Sequence, residues 1–105
     1  MIEIKNKYTG KVIHTVDSNT LRNSDLRNAD LTNADLTKAD LTNANLTDAN
    51  LRWANLTNAN LTNAELRWAN LTKADLTDAD LTDTDLRYAF LSGAKLPKTT
   101  NDKEK

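Results

Sequence analysis

The sequence predicts an all-β solenoid, a chain that bends once every five residues and winds into a narrow tube. Three observations predict it. Leucine occupies every fifth position from Leu21 to Leu96, sixteen times without a skip. Alanine stands two residues before nearly every leucine, as at Ala29, Ala34 and Ala39. The residue just before each leucine is usually Asp or Asn, and the one after is usually Thr or Arg.

A period of five fits neither regular element. On a helix each step of five rotates the leucine by roughly 140°, which scatters the leucines around the cylinder and leaves no apolar stripe. Asp, Asn and Thr are also mediocre helix formers. On a straight strand an odd step sends successive leucines to opposite faces. Within one repeat, however, Ala and Leu stand two apart and point the same way. The conflict disappears if Ala-x-Leu is a short strand with both apolar side chains inward and the next two residues turn a corner. Stacked coils then pair their backbones at about 4.8 Å, and no repeat buries its apolar face alone.

Segments such as Ala29-Asp30-Leu31-Thr32-Asn33 and Ala54-Asn55-Leu56-Thr57-Asn58 resemble the pentapeptide-repeat family, whose motif is A(D/N)LXX. The resemblance covers about three-quarters of the chain and recurs in tandem. It implies a right-handed quadrilateral β-helix with four pentapeptides per coil, hence about four coils over residues 20–96. Departures from the motif cluster at the ends. Ser24 and Thr84 replace alanine, Thr20, Phe90 and Lys95 replace Asp or Asn, and Glu65 is a lone longer acid.

Residues 1–19 differ in kind. Met1 to Val16 carries β-branched and aromatic residues around Thr9-Gly10, which reads as a β-hairpin cap over the first coil. A three-residue loop, Thr9 to Lys11, is expected to put Ile2, Ile4, Tyr8, Val12 and Val16 on one face. Uncapped solenoid ends expose apolar core and unpaired strand edges. Residues 97–105 hold no large apolar side chain and are expected to be a disordered tail. The last coil therefore needs cover near Phe90, Leu91 and Leu96, and two readings compete: the tail folds partway over that end, or these residues are the contact of an end-to-end homodimer.

If a coil is twenty residues, positions twenty apart stack in columns. The residues before leucine then read Thr20, Asp40, Asn60, Asp80; Asp25, Asn45, Glu65, Asp85; Asp30, Asn50, Asn70, Phe90; and Asp35, Asn55, Asp75, Lys95. Asp and Asn mostly alternate, which separates like charges on neighbouring strands and uses the stacking tendency of Asn. Glu65 and Asp85 form the single adjacent acidic pair. On the same side lie Arg67 and Arg87, expected to pair with Glu65 and Asp85, and at the next corner Trp68 and Tyr88, expected to stack. Arg52 and Trp53 repeat the theme one side over, with Lys73 next in that column. Trp, Tyr and Arg are the residue types enriched at binding hot spots. Glu65, Arg67, Trp68, Asp85, Arg87, Tyr88 and Trp53 are therefore the candidate partner-binding residues.

Little else carries chemistry. The chain has 105 residues, a net charge of −1 and no cysteine. Thiol chemistry and disulfides are excluded, and no strong pull toward nucleic acid or an acidic membrane is expected. No signal-peptide core or spanning segment stands out, so a cytoplasmic protein without membrane contact is expected. His14 is the sole histidine and has no second His or Cys to share a metal with. Two glycines are too few for a phosphate-cradling loop. Aligned threonines such as Thr37, Thr57 and Thr77 suit a strand exterior. The adjacent outward Asp or Asn argues against the flat threonine arrays that bind ice. No catalytic, cofactor or metal site is expected. The reading is a non-enzymatic scaffold that displays side chains to a protein partner. The alternative, implied by the resemblance, is a DNA mimic that modulates DNA gyrase. The mild charge of −3 over residues 21–96 and the lack of a C-terminal helix weigh against it.

Overall fold

Each repeat is organised by a turn that its own residues write. In the computed structural model, which describes residues 1–98, each leucine carbonyl from Leu21 to Leu91 accepts from the N–H three residues on, at 2.9–3.2 Å. The third residue of the turn has positive φ, 55–65° at fourteen non-glycine positions and 71° at Gly93. Positive φ there, and not at the second residue, is the signature of a type II turn. Asn and Asp tolerate this left-handed backbone better than other non-glycine residues, and they fill nine of the fourteen non-glycine corners.

The residue before leucine prepares the corner. The Asp30 Oδ1 accepts from the Thr32 N–H at 3.2 Å and from the Thr32 hydroxyl at 2.7 Å. Asn45 does the same for Thr47, at 3.0 and 2.7 Å. A side chain of this length bonds its own backbone two residues on, while a longer one overshoots. Asp85 accordingly accepts from the Arg87 N–H at 3.1 Å, whereas Glu65 makes no such bond to Arg67.

Corners repeated four times close a coil. Parallel one-residue bridges join positions twenty apart, from Asp25 with Asn45 to Asp75 with Lys95. Each leucine N–H from Leu26 to Leu76 donates to the carbonyl of the pre-leucine residue one coil on, at 2.7–2.8 Å. Inside, the leucines and alanines of the middle coils are buried, with Leu31, Leu51, Leu61 and Leu71 fully closed to solvent. The chain is thus an all-β, four-sided repeat fold with its core along the axis.

The hairpin closes the first coil. Strand β1 (Ile2–Asn6) pairs antiparallel with β2 (Val12–Val16) on one edge and with β3 (Ala34–Asp35) on the other. Ile4 is only 2% exposed and enters the core, with Ile2, Ile13 and Val16 packed against it. Burying one such isoleucine stabilises by roughly 1.5–3 kcal/mol. The turn differs from the expected three-residue loop. Asn6 Oδ1 accepts from the N–H groups of Tyr8 and Thr9 at 2.7 and 3.1 Å, and the Gly10 N–H donates to the Asn6 carbonyl at 2.9 Å. This wrap makes a wider loop over 7–10 and shifts the register between Ile4 and Lys5. Tyr8 and Val12 consequently face solvent, and Ile13 takes the inward place.

Among the described residues nothing covers the far end. Leu81, Leu86 and Leu91 are half-buried, and Leu96 is 51% exposed. A cleft of about 710 Å3 runs there between the segment 78–82 and Leu96-Pro97-Lys98. The expected disordered tail over 97–105 falls, from residue 99 onward, outside the described residues.

Candidate functional site

The fold gives each repeat three outward places, namely the residue before leucine, the residue after it, and the left-handed corner. Corners suit Asn, Asp and Gly. A bulky side chain there is an outlier and costs on the order of 1–3 kcal/mol unless its surroundings hold it. Trp53 (φ 62°), Trp68 (φ 63°) and Tyr88 (φ 65°) occupy three such corners. The fold does not ask for aromatic residues there.

The corner holding Trp68 and Tyr88 is the most developed. Their rings stack at a centroid distance of 4.7 Å and an interplanar angle of 15°, and both stay in contact with solvent at 49% and 62% exposure. The backbone bond across this corner, from the Trp68 N–H to the Arg87 carbonyl, is 3.3 Å, the longest of its series. Beside the stack, Arg87 grips Asp85 with two parallel bonds, Nε to Oδ1 at 3.0 Å and Nη2 to Oδ2 at 2.8 Å. The pairing of Arg67 with Glu65 expected from sequence is not made among the described residues; Arg67 reaches one coil on instead, where its Nε lies 4.0 Å from Asp85 Oδ2. That Nε is covered from solvent and has no hydrogen-bond partner among the described residues. Glu65 and Asp85 are bridged backbone neighbours, yet the two arginines converge on Asp85 alone.

Electrostatics follow the geometry. The Arg87 side chain, then the Arg87 N–H and the charges of both arginines, hold the Asp85 carboxyl down to about 2. The same grip recurs in the first coil, where Arg27 holds Asp25 at about 2. Threonine bonds, hydroxyl first, lower Asp30, Asp75 and Asp80. These carboxylates are occupied by their own turns. They are poor proton carriers at neutral pH.

The remaining expected residues lie apart. Trp53 is one corner over, with the Lys73 ammonium 5.4 Å from its ring centroid. Phe90 points outward and is exposed, Leu91 is half-buried, and Leu96 sits on the open end. Among the described residues no three His, Cys, Asp or Glu side chains are grouped to hold a metal ion. No helix there is long and apolar enough to cross a membrane. Two features escaped the sequence reading, the left-handed corner and the Asp/Asn-to-Thr bond. Both had a signal in the Asn and Asp that recur two residues after leucine and the Thr that recurs two after Asp or Asn.

A four-sided, all-β stack of five-residue turns with a polar, regular exterior defines a repeat solenoid. The pentapeptide-repeat profile, in eight copies, matches residues 24–63, 49–87 and 64–100, and the chain belongs to the pentapeptide repeat family. Among solved structures it is similar to Rfr23 from the cyanobacterium Cyanothece 51142, with 38% identity over 70% of this chain and 54% of that one, at a TM-score of 0.47. It is also similar to a pentapeptide repeat protein of the Arabidopsis thaliana thylakoid lumen, with 31% identity over 74% and 59% of the two chains and a TM-score of 0.45. A third, from Nostoc PCC 7120, shares 31% identity over 74% of each chain, at 0.45. The chain spans 54% and 59% of the length of the first two. A search of curated protein sequences gave no match.

Proposed function

We propose that this pentapeptide repeat protein is a non-enzymatic interaction scaffold whose partner docks on the face bearing Glu65, Arg67, Trp68, Asp85, Arg87 and Tyr88, with Trp53 at its margin. One observation carries the reading. Aromatic side chains occupy left-handed corners where they cost backbone energy, and they remain half in solvent. Exposed aromatic and arginine side chains on a rigid frame are the raw material of a binding hot spot. The pre-leucine aspartates such as Asp30, Asp35 and Asp85 offer no rival chemistry, because an oxygen of each is engaged by Thr or Arg two residues on.

Trp68→Asn with Tyr88→Asn restores the commonest corner residue at both places. The double variant is expected to keep its circular dichroism and melting temperature and to lose the proteins that the parent chain captures. Equal capture by both chains overturns the reading. The gyrase alternative makes a separate demand, that micromolar protein inhibit or protect supercoiling in a purified assay. The engaged acids argue for no effect. A second copy meeting the open end at Phe90, Leu91 and Leu96 is a further expected contact, tested below by solution mass.

A further inference from the structure

We propose a second site, between the hairpin tip and the coil wall, that binds a small planar ring carrying a phosphate, of nucleoside monophosphate size. A cleft of about 330 Å3 lies there, with Tyr8 and Trp53 as its aromatic walls. That volume is at the lower end of the roughly 300–1,000 Å3 typical of small-molecule pockets. Lys7, Lys73 and Lys95 also line it. The Lys7 ammonium stands 5.0 Å from the Tyr8 ring centroid, and the Lys73 ammonium 5.4 Å from that of Trp53. Gly93, next above Lys73 in its column, leaves the corner bare. A Cβ there would lie 3.4 Å from the Lys73 stem.

Charge and repeat pattern point the same way. The three ammonium groups share one lining carboxylate, Asp75, whose Oδ1 already accepts from the Thr77 N–H at 3.0 Å. Every ion pair among the described residues is made by an arginine, so these lysines have no pair there. Three ammonium groups around one carboxylate leave the cleft with an excess of positive charge, and an anion relieves that. The fold does not need them. Lys95 stands where the repeat takes Asp or Asn to cap its turn, and Trp53 and Lys73 stand at left-handed corners that suit Asn. Tyr8 reaches the cleft because the Asn6 wrap lifts it out of the strand, leaving it 71% exposed. A bare anion would use the lysines only, and a neutral ring the aromatic walls only. A ring joined to a phosphate uses both.

The test is a fluorescence titration of a Trp68→Phe background, in which Trp53 is the sole indole, with AMP, adenosine and inorganic phosphate at low salt. Saturable quenching by AMP is expected, with adenosine and phosphate each weaker by about tenfold or more. Lys73→Asn with Lys95→Asn restores repeat residues, so the fold should persist by circular dichroism while AMP binding falls by about tenfold or more. No saturable change up to about 10 mM AMP overturns the proposal. Phosphate binding as tightly as AMP, or the double variant matching its parent, does so too. Trp53 is common to both readings, but Trp68 and Tyr88 lie at another corner, so Trp68→Asn with Tyr88→Asn tests the scaffold face and Lys73→Asn with Lys95→Asn tests this cleft.

Discussion

Replacing Leu56 by alanine tests the tube most directly. Leu56 is 1% exposed and, at twenty residues per coil, stacks between Leu36 and Leu76. The substitution removes three carbons, about 0.8 kcal/mol each in transfer, or roughly 2.4 kcal/mol. Large-to-small changes of this kind cost about 2.7–5 kcal/mol once the cavity is included, and the total depends on how far the site collapses. This site has little room to do so, because its four walls are backbone ladders held by bonds of 2.7–2.9 Å on either side of each strand. The cost should therefore lie in the upper half, about 4 kcal/mol. Leu96→Ala is the control. Leu96 is 51% exposed at the open end, leaves no closed cavity, and should cost under about 1.5 kcal/mol. With a urea slope of about 1.5 kcal/mol/M, Leu56→Ala should lower the unfolding midpoint by about 2–3 M and Leu96→Ala by under about 1 M. Equal midpoint shifts for the two variants would refute a core layered along the axis.

The remaining expectations concern the corners, the acids and the open end. Asn58→Ala, at a left-handed corner, should destabilise by about 1 kcal/mol, while Asn58→Gly should stay within about 0.5 kcal/mol of the parent in urea. Asp85 has its carboxyl lowered in the fold from 3.8 to about 2. Its contribution is therefore complete above the unfolded value and is lost as pH falls through the folded one. Asp85→Asn should lower the urea midpoint at pH 6 and converge with the parent near pH 2, and a constant gap between the two chains would contradict the Arg87 grip. Sedimentation should give twice the chain mass for the parent and the single mass for Phe90→Asp with Leu96→Lys, and a monomeric parent removes the end-to-end contact.

The path of the chain was legible because one constraint dominates it. Period five is incompatible with a helix or a straight strand, so Leu21 to Leu96 can share a core only if the backbone corners in every repeat. The stack of Trp68 on Tyr88 follows from columns twenty apart, the pair of Arg87 with Asp85 from their spacing of two within one repeat, and both are present. What was not legible depends on reach rather than period. The Glu65 carboxylate is one methylene too far out for the turn bond, so Arg67 leans toward Asp85 on the next coil. In the hairpin, the Asn6 side chain gathers two N–H groups, which widens the loop and moves Tyr8 outward. Alternation of apolar residues along strands that short does not encode such a local bond.

A repeat chain makes its exceptions readable in a way that an irregular fold does not. The four corner columns have the same backbone, so each can be compared with the others. Two of them, Asn23, Asn43, Asn63, Asp83 and Lys38, Asn58, Asp78, carry only polar residues. All three aromatic corners fall in the other two, Asn28, Asp48, Trp68, Tyr88 and Asn33, Trp53, Lys73, Gly93. Those columns border a single side of the coil, the one bearing Asn50, Asn70 and Phe90. Had the aromatic residues served only to stiffen the corners, no side would be preferred, since every corner has the same turn to hold. Their placement on both edges of one side, against a backbone penalty at each, gives an otherwise four-sided rod a front and a back. Both proposed sites lie on the edges of that front.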